Sequence, residues 1–102
     1  MADSEDRPKI GQIVRIVRGR DAGNYAVIVK IEDEKFVHIA DGDKRTFNHP
    51  KKKNINHIEF LECVSQDVRD LIVQTGRVTS VKLRYALAKF LENNTEGPRE
   101  GE

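Results

Sequence analysis

Residues 11–31 contain two runs of apolar, β-branched residues on either side of a short polar loop. Valine and isoleucine suit a pleated, buried surface, so the two runs are predicted to pair as strands. We call the loop between them, residues 18–24, the glycine–arginine loop. It carries two glycines and two arginines: Arg18, Gly19, Arg20 and Gly23. Because glycine tolerates a positive φ and a close backbone approach, this pattern predicts a tight turn with two exposed guanidinium groups at its tip.

The first two thirds of the chain predict five short strands. They are expected at residues 10–18, 25–31, 35–40, 43–47 and 54–61. Asp41-Gly42 is typical of a two-residue type I′ hairpin, which needs a positive φ at both central residues, and residues 48–53 are expected to form a basic loop. Short strands joined by tight turns indicate a small, highly curved barrel. Its predicted core consists of Val14, Ile16, Val27, Val29, Val37, Ile39, Ile58 and Phe60.

The last third changes to a helical period. Ser65 can cap a first helix, and Gly76 is predicted to end it. A second helix is expected over residues 80–92, with an apolar face formed by Leu83, Leu87, Phe90 and Leu91. Such short helices are not stable alone, so we expect a helical hairpin packed on the barrel, where it would cover the second apolar face of residues 26–29.

Length and composition limit the class of protein. A chain of 102 residues suffices for one domain with a modest core. The single cysteine, Cys63, rules out an intramolecular disulfide and agrees with a reducing compartment. No apolar run approaches the length of a membrane span, and the acidic start of the chain is unlike a secretory signal. These features favour a cytoplasmic protein with no membrane partner.

The formal net charge of +1 conceals a basic body between two acidic ends. Residues 7–94 hold 17 lysines and arginines against 11 acidic residues, and such an excess fits a surface that faces RNA. We therefore predict four segments. They are a flexible acidic tail (1–8), a barrel (9–62), a helical extension (63–93) and a flexible C-terminal tail (94–102).

The strand–loop–strand unit resembles the KOW motif of ribosomal proteins and transcription factors. The matching features are Gly11, the apolar alternation around Val14 and Ile16, Gly19, the triplet Asp21-Ala22-Gly23 and the apolar run 27–29. Within that family, Gly-Arg-Asp-Ala-Gly is similar to the large-subunit ribosomal proteins of the fourteen-e class and to related small bacterial KOW-domain RNA-binding proteins. The resemblance implies an SH3-like barrel and RNA binding. Asn24 departs from it, because a lysine often stands there.

The predicted RNA-binding surface has two parts, the glycine–arginine loop and a basic region that follows the third strand. Guanidinium groups match phosphate oxygens bidentately and stack on bases, and adjacent lysines form a patch that attracts phosphates of any sequence. Asp21 is expected to bond nearby backbone amides in an Asx turn. The candidate residues are Arg15, Arg18, Gly19, Arg20, Asp21, Gly23, Asn24, Lys44, Arg45, Lys51, Lys52 and Lys53. A solvated loop or edge-strand lysines are the alternative for the last three.

A third surface is expected on the second helix. Lys82, Tyr85 and Lys89 share one face there, with Arg77 and Arg84 nearby. A tyrosine between cations can stack on a base, although a solvated helix face is the simpler interpretation.

Catalytic and metal sites are not predicted. His38, His49, His57 and Cys63 lack the spacing of zinc ligands, and no Gly-Lys-Ser/Thr sequence marks a phosphate-binding loop. Together with the resemblance to KOW-domain proteins, this predicts a non-enzymatic protein, without cofactor or small-molecule substrate, that binds ribosomal RNA or another structured RNA. Its place would be on ribosomes or in translation, with ribosomal proteins as further neighbours. The alternative is a protein-interaction module of a transcription or translation complex, with the apolar helix face as its docking surface.

Overall fold

The computed structural model describes residues 7–94 and contains an antiparallel sheet followed by two helices. The strands are β1 (Gln12–Ile16), β2 (Tyr25–Ile31), β3 (Phe36–Ala40), β4 (Lys51–Asn54) and β5 (Ile58–Val64), and the helices are α1 (Gln66–Thr75) and α2 (Ser80–Asn94). The predicted fold class is confirmed. Most of the two predicted tails, residues 1–6 and 95–102, lies outside the described residues.

The five strands lie in the order β4-β3-β2-β1-β5, and every neighbouring pair is antiparallel. This is the arrangement of an SH3-like barrel, but no ladder joins the edge strands β4 and β5, so the sheet is not closed. A 3₁₀ turn, Ile55–His57, connects these two edges. The glycine–arginine loop joins β1 to β2 at one end of the sheet, and the hairpin between β2 and β3 lies at the other end.

Both faces of the sheet are buried. In the β1–β2 ladder Ile13 pairs with Val27, and Val14 pairs with Ala26. Since paired residues share a face, the predicted core residues divide between two clusters. One cluster contains Val14, Ile16, Ala26, Ile28, Val37, Ile39 and Ile58, with Phe60 half-buried beside it. The other contains Ile13, Val27, Val29 and Ala40 together with apolar residues of the C-terminal segment.

The helices cover the second face, as predicted. The Ser65 hydroxyl accepts a hydrogen bond from the Val68 amide at the start of α1, and Gly76 ends this helix at φ +83°. Leu83 and Leu87 of α2 are buried against the sheet. Burial of a leucine side chain contributes about 1.5–3 kcal/mol, so this contact holds the helix in place. Leu83 and Leu87 are therefore not available to a partner, and the alternative hypothesis is wrong for these two residues, whereas Leu91 of the same predicted face is exposed.

The fourth strand is not at residues 43–47, and the predicted type I′ hairpin is wrong. The Asp41 carboxylate accepts hydrogen bonds from the amides of Asp43 and Arg45 at 2.8 and 2.9 Å, which folds this segment into a compact loop. Gly42 has a φ of +81°, whereas Asp41 has no positive φ. Residues 41–50 therefore form one connection, and we call it the 41–50 connection.

The lysine run predicted as a loop is instead the edge strand β4. Lys51, Lys52 and Lys53 pair with Ile39, His38 and Val37, so their side chains alternate between the two faces of the sheet. An edge strand rich in lysine resists pairing with other chains, which was the alternative interpretation of this run.

The bounds of β1 and β5 move at both ends, to Gln12–Ile16 from the predicted 10–18 and to Ile58–Val64 from the predicted 54–61. β3 starts one residue later and α2 ends two residues later than predicted. β1 ends at Ile16 rather than at residue 18, because the amide of Ile16 donates to the Asn24 carbonyl and its carbonyl accepts from Gly23 within the turn. β5 begins at Ile58 rather than at residue 54, because the Asn54 side chain accepts from the Asn56 amide and starts the 3₁₀ turn.

Candidate nucleic-acid interface

Backbone hydrogen bonds fix the glycine–arginine loop. The Ala22 amide donates to the Gly19 carbonyl at 3.2 Å, and the Asn24 amide donates to the Asp21 carbonyl at 3.0 Å. Gly23 has a φ of +96°, a conformation that an L side chain rarely adopts, which confirms the reason given for a glycine there. The Asx turn predicted at Asp21 is not formed, since the acceptor for Asn24 is the backbone carbonyl. The loop is shaped by its main chain, and its side chains remain available.

Arg18 and Arg20 are both exposed at this tip. Among residues 7–94, no carboxylate forms an ion pair with either guanidinium group. The tip therefore offers two cationic forks whose hydrogen-bond donors are free to meet phosphate oxygens.

Lys53 braces the loop from the opposite edge of the sheet. Its side chain is only 9% exposed, and its Nζ donates a hydrogen bond to the Arg18 carbonyl at 3.1 Å. A Cβ atom added at Gly19 would lie 3.1 Å from the same nitrogen, so glycine leaves room for this contact. Since β4 and β5 share no ladder, the Lys53 side chain is one link between the open edge and the loop.

Two other predicted cations are paired with carboxylates. Arg15 Nε lies 3.0 Å from Glu59 Oε1, across the β1–β5 ladder, in an exposed ion pair. Lys52 Nζ lies 3.1 Å from Glu32 Oε2 and 4.6 Å from the centre of the Phe36 ring. Exposed pairs of this kind contribute little to stability, about 0–1 kcal/mol, but they reduce the charge each cation offers to RNA.

Glu32 also binds a histidine. The His38 Nε2 donates to Glu32 Oε1 at 2.9 Å. This hydrogen bond, followed by that from Lys52, lowers the pKa of the Glu32 carboxyl below its ordinary value of 4.5. In the next residue, the amides of Lys35 and Phe36 donate to the Asp33 carboxylate and lower its pKa below 3.8. The β2–β3 hairpin therefore keeps its negative charge at the end of the sheet away from the glycine–arginine loop.

The glycine–arginine loop and the 41–50 connection meet in a small depression. Its walls are Asp21, Asn24, Asp41, Lys44, Arg45 and Lys51. The depression holds about 20 Å³, too little for a nucleotide, so it marks where two segments touch rather than a binding pocket. The contact places Lys44, Arg45 and Lys51 beside the loop, and none of these three is ion-paired within residues 7–94.

The sequence did not reveal which cations have partners. Glu59 neutralises Arg15 because β5 lies beside β1, and Glu32 reaches Lys52 because β4 is a strand beside β3. Neither pairing follows from the local pattern alone. Lys52 could have been distinguished from Lys51 and Lys53 if residues 51–54 had been recognised as a strand. Successive side chains of a strand point to opposite faces, so Lys52 lies on the other face from its two neighbours.

Comparison with known proteins identifies the strand–loop–strand unit of β1, the glycine–arginine loop and β2 as part of a known motif. A family model described as the KOW motif matches residues 10–39, which include β1, the glycine–arginine loop, β2 and all of β3 except Ala40. A Bacillus subtilis protein named "Putative ribosome-binding protein YbzG" is 45% identical over 71 residues, covering 70% of this chain and 96% of that protein. The chain belongs to this KOW-motif family.

Archaeal ribosomal proteins match a shorter stretch of the chain. The large ribosomal subunit protein eL14 of Pyrobaculum islandicum is 46% identical over 50 residues, or 49% of this chain and 48% of that protein. The eL14 of Staphylothermus marinus is 43% identical over 56 residues, or 55% of this chain and 58% of its own length. The KOW-motif chain thus spans about half of the length of these archaeal relatives.

Within residues 7–94, neither helix has the length and apolarity needed to cross a bilayer.

Proposed function

We propose that this protein is a non-enzymatic RNA-binding protein that associates with ribosomes through the glycine–arginine loop. The observation that carries the proposal is the pair of exposed, unpaired arginines, Arg18 and Arg20, on a loop held by its own backbone and by Lys53. Relatives named as a ribosome-binding protein and as large-subunit ribosomal proteins support it.

The proposed contact surface extends beyond the loop. Lys44 and Arg45 of the 41–50 connection and Lys51 at the start of β4 continue the positive charge from the tip. Because the loop is already ordered, little conformational entropy is lost when it meets phosphates. Gly19, Asp21, Gly23 and Asn24 shape the loop, while Arg15 and Lys52 sit at the border with their carboxylate partners. The proposed RNA contacts are thus Arg18, Arg20, Lys44, Arg45 and Lys51.

The proposed target is ribosomal RNA, read by shape and charge. Few side chains here are placed to reach base edges, and helical RNA presents its phosphates and 2′-hydroxyls to a protein surface. Ribosomal proteins next to the bound RNA would be the further partners, and the cytoplasm the place of action. No cofactor or small-molecule substrate enters this proposal.

Co-sedimentation with separated ribosomal subunits tests the proposal. The double variant Arg18→Ala/Arg20→Ala is expected not to co-sediment with the ribosomal subunits, because it lacks both guanidinium groups at the tip of the loop. The matched control is Lys30→Ala/Lys35→Ala, which removes two exposed cations at the far end of the sheet and should sediment like the unmodified protein. Urea unfolding would establish that both variants fold. If the arginine variant sediments fully, the proposed surface is wrong.

A further inference from the structure

A groove on the helical side of the molecule is separate from the surface proposed above. It runs between α2 and the junction of β5 with α1 and has a volume of about 300 Å³. One wall consists of Lys82, Tyr85 and Lys89, and the floor includes Ile13, Cys63 and Phe90. Sites for small organic groups start at about this volume and combine an apolar floor with a few polar side chains.

The α2 wall has the composition of a site for single-stranded RNA. Tyr85 is 57% exposed, so its ring is largely uncovered by the protein's own core. Lys82 and Lys89 lie about 10 Å apart along the helix axis, on either side of the tyrosine. Neither lysine is ion-paired to a carboxylate of the described chain. An aromatic face between two ammonium groups can hold a base by stacking and the phosphates on either side of it by charge.

A ring contact connects the floor of the groove to the residue that follows the glycine–arginine loop. The Phe90 ring of its floor packs on Tyr25, with the ring centres 5.6 Å apart, and Tyr25 directly follows the loop. Arg15 pairs with Tyr25 and, by strand alternation, shares the face of the sheet that carries Ile13. An RNA strand that leaves the loop along this face therefore passes Arg15 and Tyr25 before it reaches the groove.

We propose that this groove binds one unpaired nucleotide of RNA, with its base stacked on Tyr85 and its flanking phosphates at Lys82 and Lys89. The inference rests on the proposed RNA-binding function and adds a second contact to it. Asp67 lies in the lining of the same groove. Its carboxylate accepts hydrogen bonds from a base amino group or a ribose hydroxyl, donors that a nucleotide has and the carboxylate side chains of an acidic peptide lack, which favours a nucleotide as the occupant.

The test is a titration of the isotope-labelled full chain with hexauridylate, followed by amide chemical shifts. Shifts are expected at Tyr85, Lys89 and the start of α1. In the Arg18→Ala/Arg20→Ala variant these groove shifts should persist, so the fate of the groove and that of the loop are read separately. Ribosome binding without groove shifts would overturn this inference and leave the loop proposal standing. If the groove residues shift but the protein does not bind ribosomes, the loop proposal is overturned and the groove inference stands.

Substitutions in the groove sharpen the test. Tyr85→Ala is expected to weaken hexauridylate binding by about 5- to 100-fold, the loss that corresponds to one stacked base, whereas Tyr85→Phe keeps the ring and should bind normally. Val81→Ala, at a 64% exposed position on the same helix, is the matched control. Equal affinity of the Ala and Phe variants at residue 85 would overturn the stacking contact. Groove shifts of the same size with hexaglutamate would overturn the choice of a nucleotide.

Discussion

At the scale of single residues, Lys53 shows that a charged side chain of a basic run can serve the fold instead of facing solvent. Three adjacent lysines form the most basic run of the chain, yet only one of them, Lys51, is neither buried nor ion-paired in the described structure. Lys53 is buried and donates to the Arg18 carbonyl, while Lys52 lies against Glu32 and Phe36. Strand alternation separates Lys52 from the other two, because successive side chains point to opposite faces, and the contact with the Arg18 carbonyl distinguishes Lys53 from Lys51. Charge in a sequence therefore overstates the charge available to a ligand.

Replacing Lys53 with methionine tests its role as a brace. The change removes the hydrogen bond to the loop and keeps most of the apolar stem, so the free energy of unfolding should fall by about 1–2 kcal/mol. Urea unfolding measures this effect. Lys51→Met on the same strand should change stability by less than about 0.5 kcal/mol, because no internal bond is lost. A Lys53→Met protein as stable as the parent would show that the contact does not support the loop.

Glu32 provides a prediction about pH. Hydrogen bonds from His38 and Lys52 lower the pKa of its carboxyl, so the stabilisation that it contributes is present above pH 4.5 and is lost as the pH falls through the lowered value. Carbon-detected NMR titration should find this carboxyl titrating below 4.5. His38→Ala removes the larger cause and should move the pKa upward, whereas Lys30→Ala should leave it unchanged. An identical Glu32 titration in all three proteins would contradict the assigned cause.

At the scale of elements, the parts with strong local signals were predictable. The β-branched run of β2 and the helix signals at Ser65 and Gly76 lie where they were expected. β4 was not predictable from a local pattern, because KKKN has no apolar alternation and becomes a strand only by pairing with the buried residues of β3. The preceding hairpin signal misled for a specific reason. Asp41 uses its side chain to cap its own loop, which competes with the two-residue turn.

The 41–50 connection also seats α2, and Gly42 is the point of contact. The Arg84 guanidinium donates to the Gly42 carbonyl at 2.6 Å, and a Cβ added at Gly42 would lie 2.5 Å from the Ser80 carbonyl oxygen. Gly42→Ala therefore combines a positive φ with a backbone clash, and it should cost about 2–4 kcal/mol. In Gly23→Ala a similar φ occurs in open space, so the expected cost is about 1 kcal/mol.

Denaturant unfolding of the two glycine variants compares these costs directly. Because Gly42 supports the helix while Gly23 supports only the loop, the first substitution should also loosen α2, seen as faster amide exchange at Leu83 and Leu87. Equal losses in the free energy of unfolding of the two variants would mean that the contact between Gly42 and α2 does not contribute to stability.

At the scale of the whole molecule, charge is separated along the sheet. Five cations without a carboxylate partner in the described residues lie at the end that holds the glycine–arginine loop: Arg18, Arg20, Lys44, Arg45 and Lys51. The opposite end carries the acidic hairpin of residues 32–34, whose first two carboxyls keep lowered pKa values. A net charge of +1 hides this polarity. The excess of cations at the loop end would turn that end toward RNA during encounter.

The salt dependence of RNA affinity measures how many of these cations contact phosphates in the proposed complex. If about three to five phosphates are neutralised, the logarithm of the affinity should fall against the logarithm of the salt concentration with a slope of roughly −2 to −4. Lys44→Gln/Lys51→Gln should make the slope shallower by about 1 to 2, because each removed phosphate contact releases one counterion fewer. Lys53→Met should leave the slope unchanged, since that ammonium group already serves the Arg18 carbonyl. Filter binding of ribosomal RNA fragments across a salt series gives all three slopes. A slope near zero would contradict electrostatic recognition altogether, and a shallower slope for Lys53→Met would place that lysine on the RNA instead of within the fold.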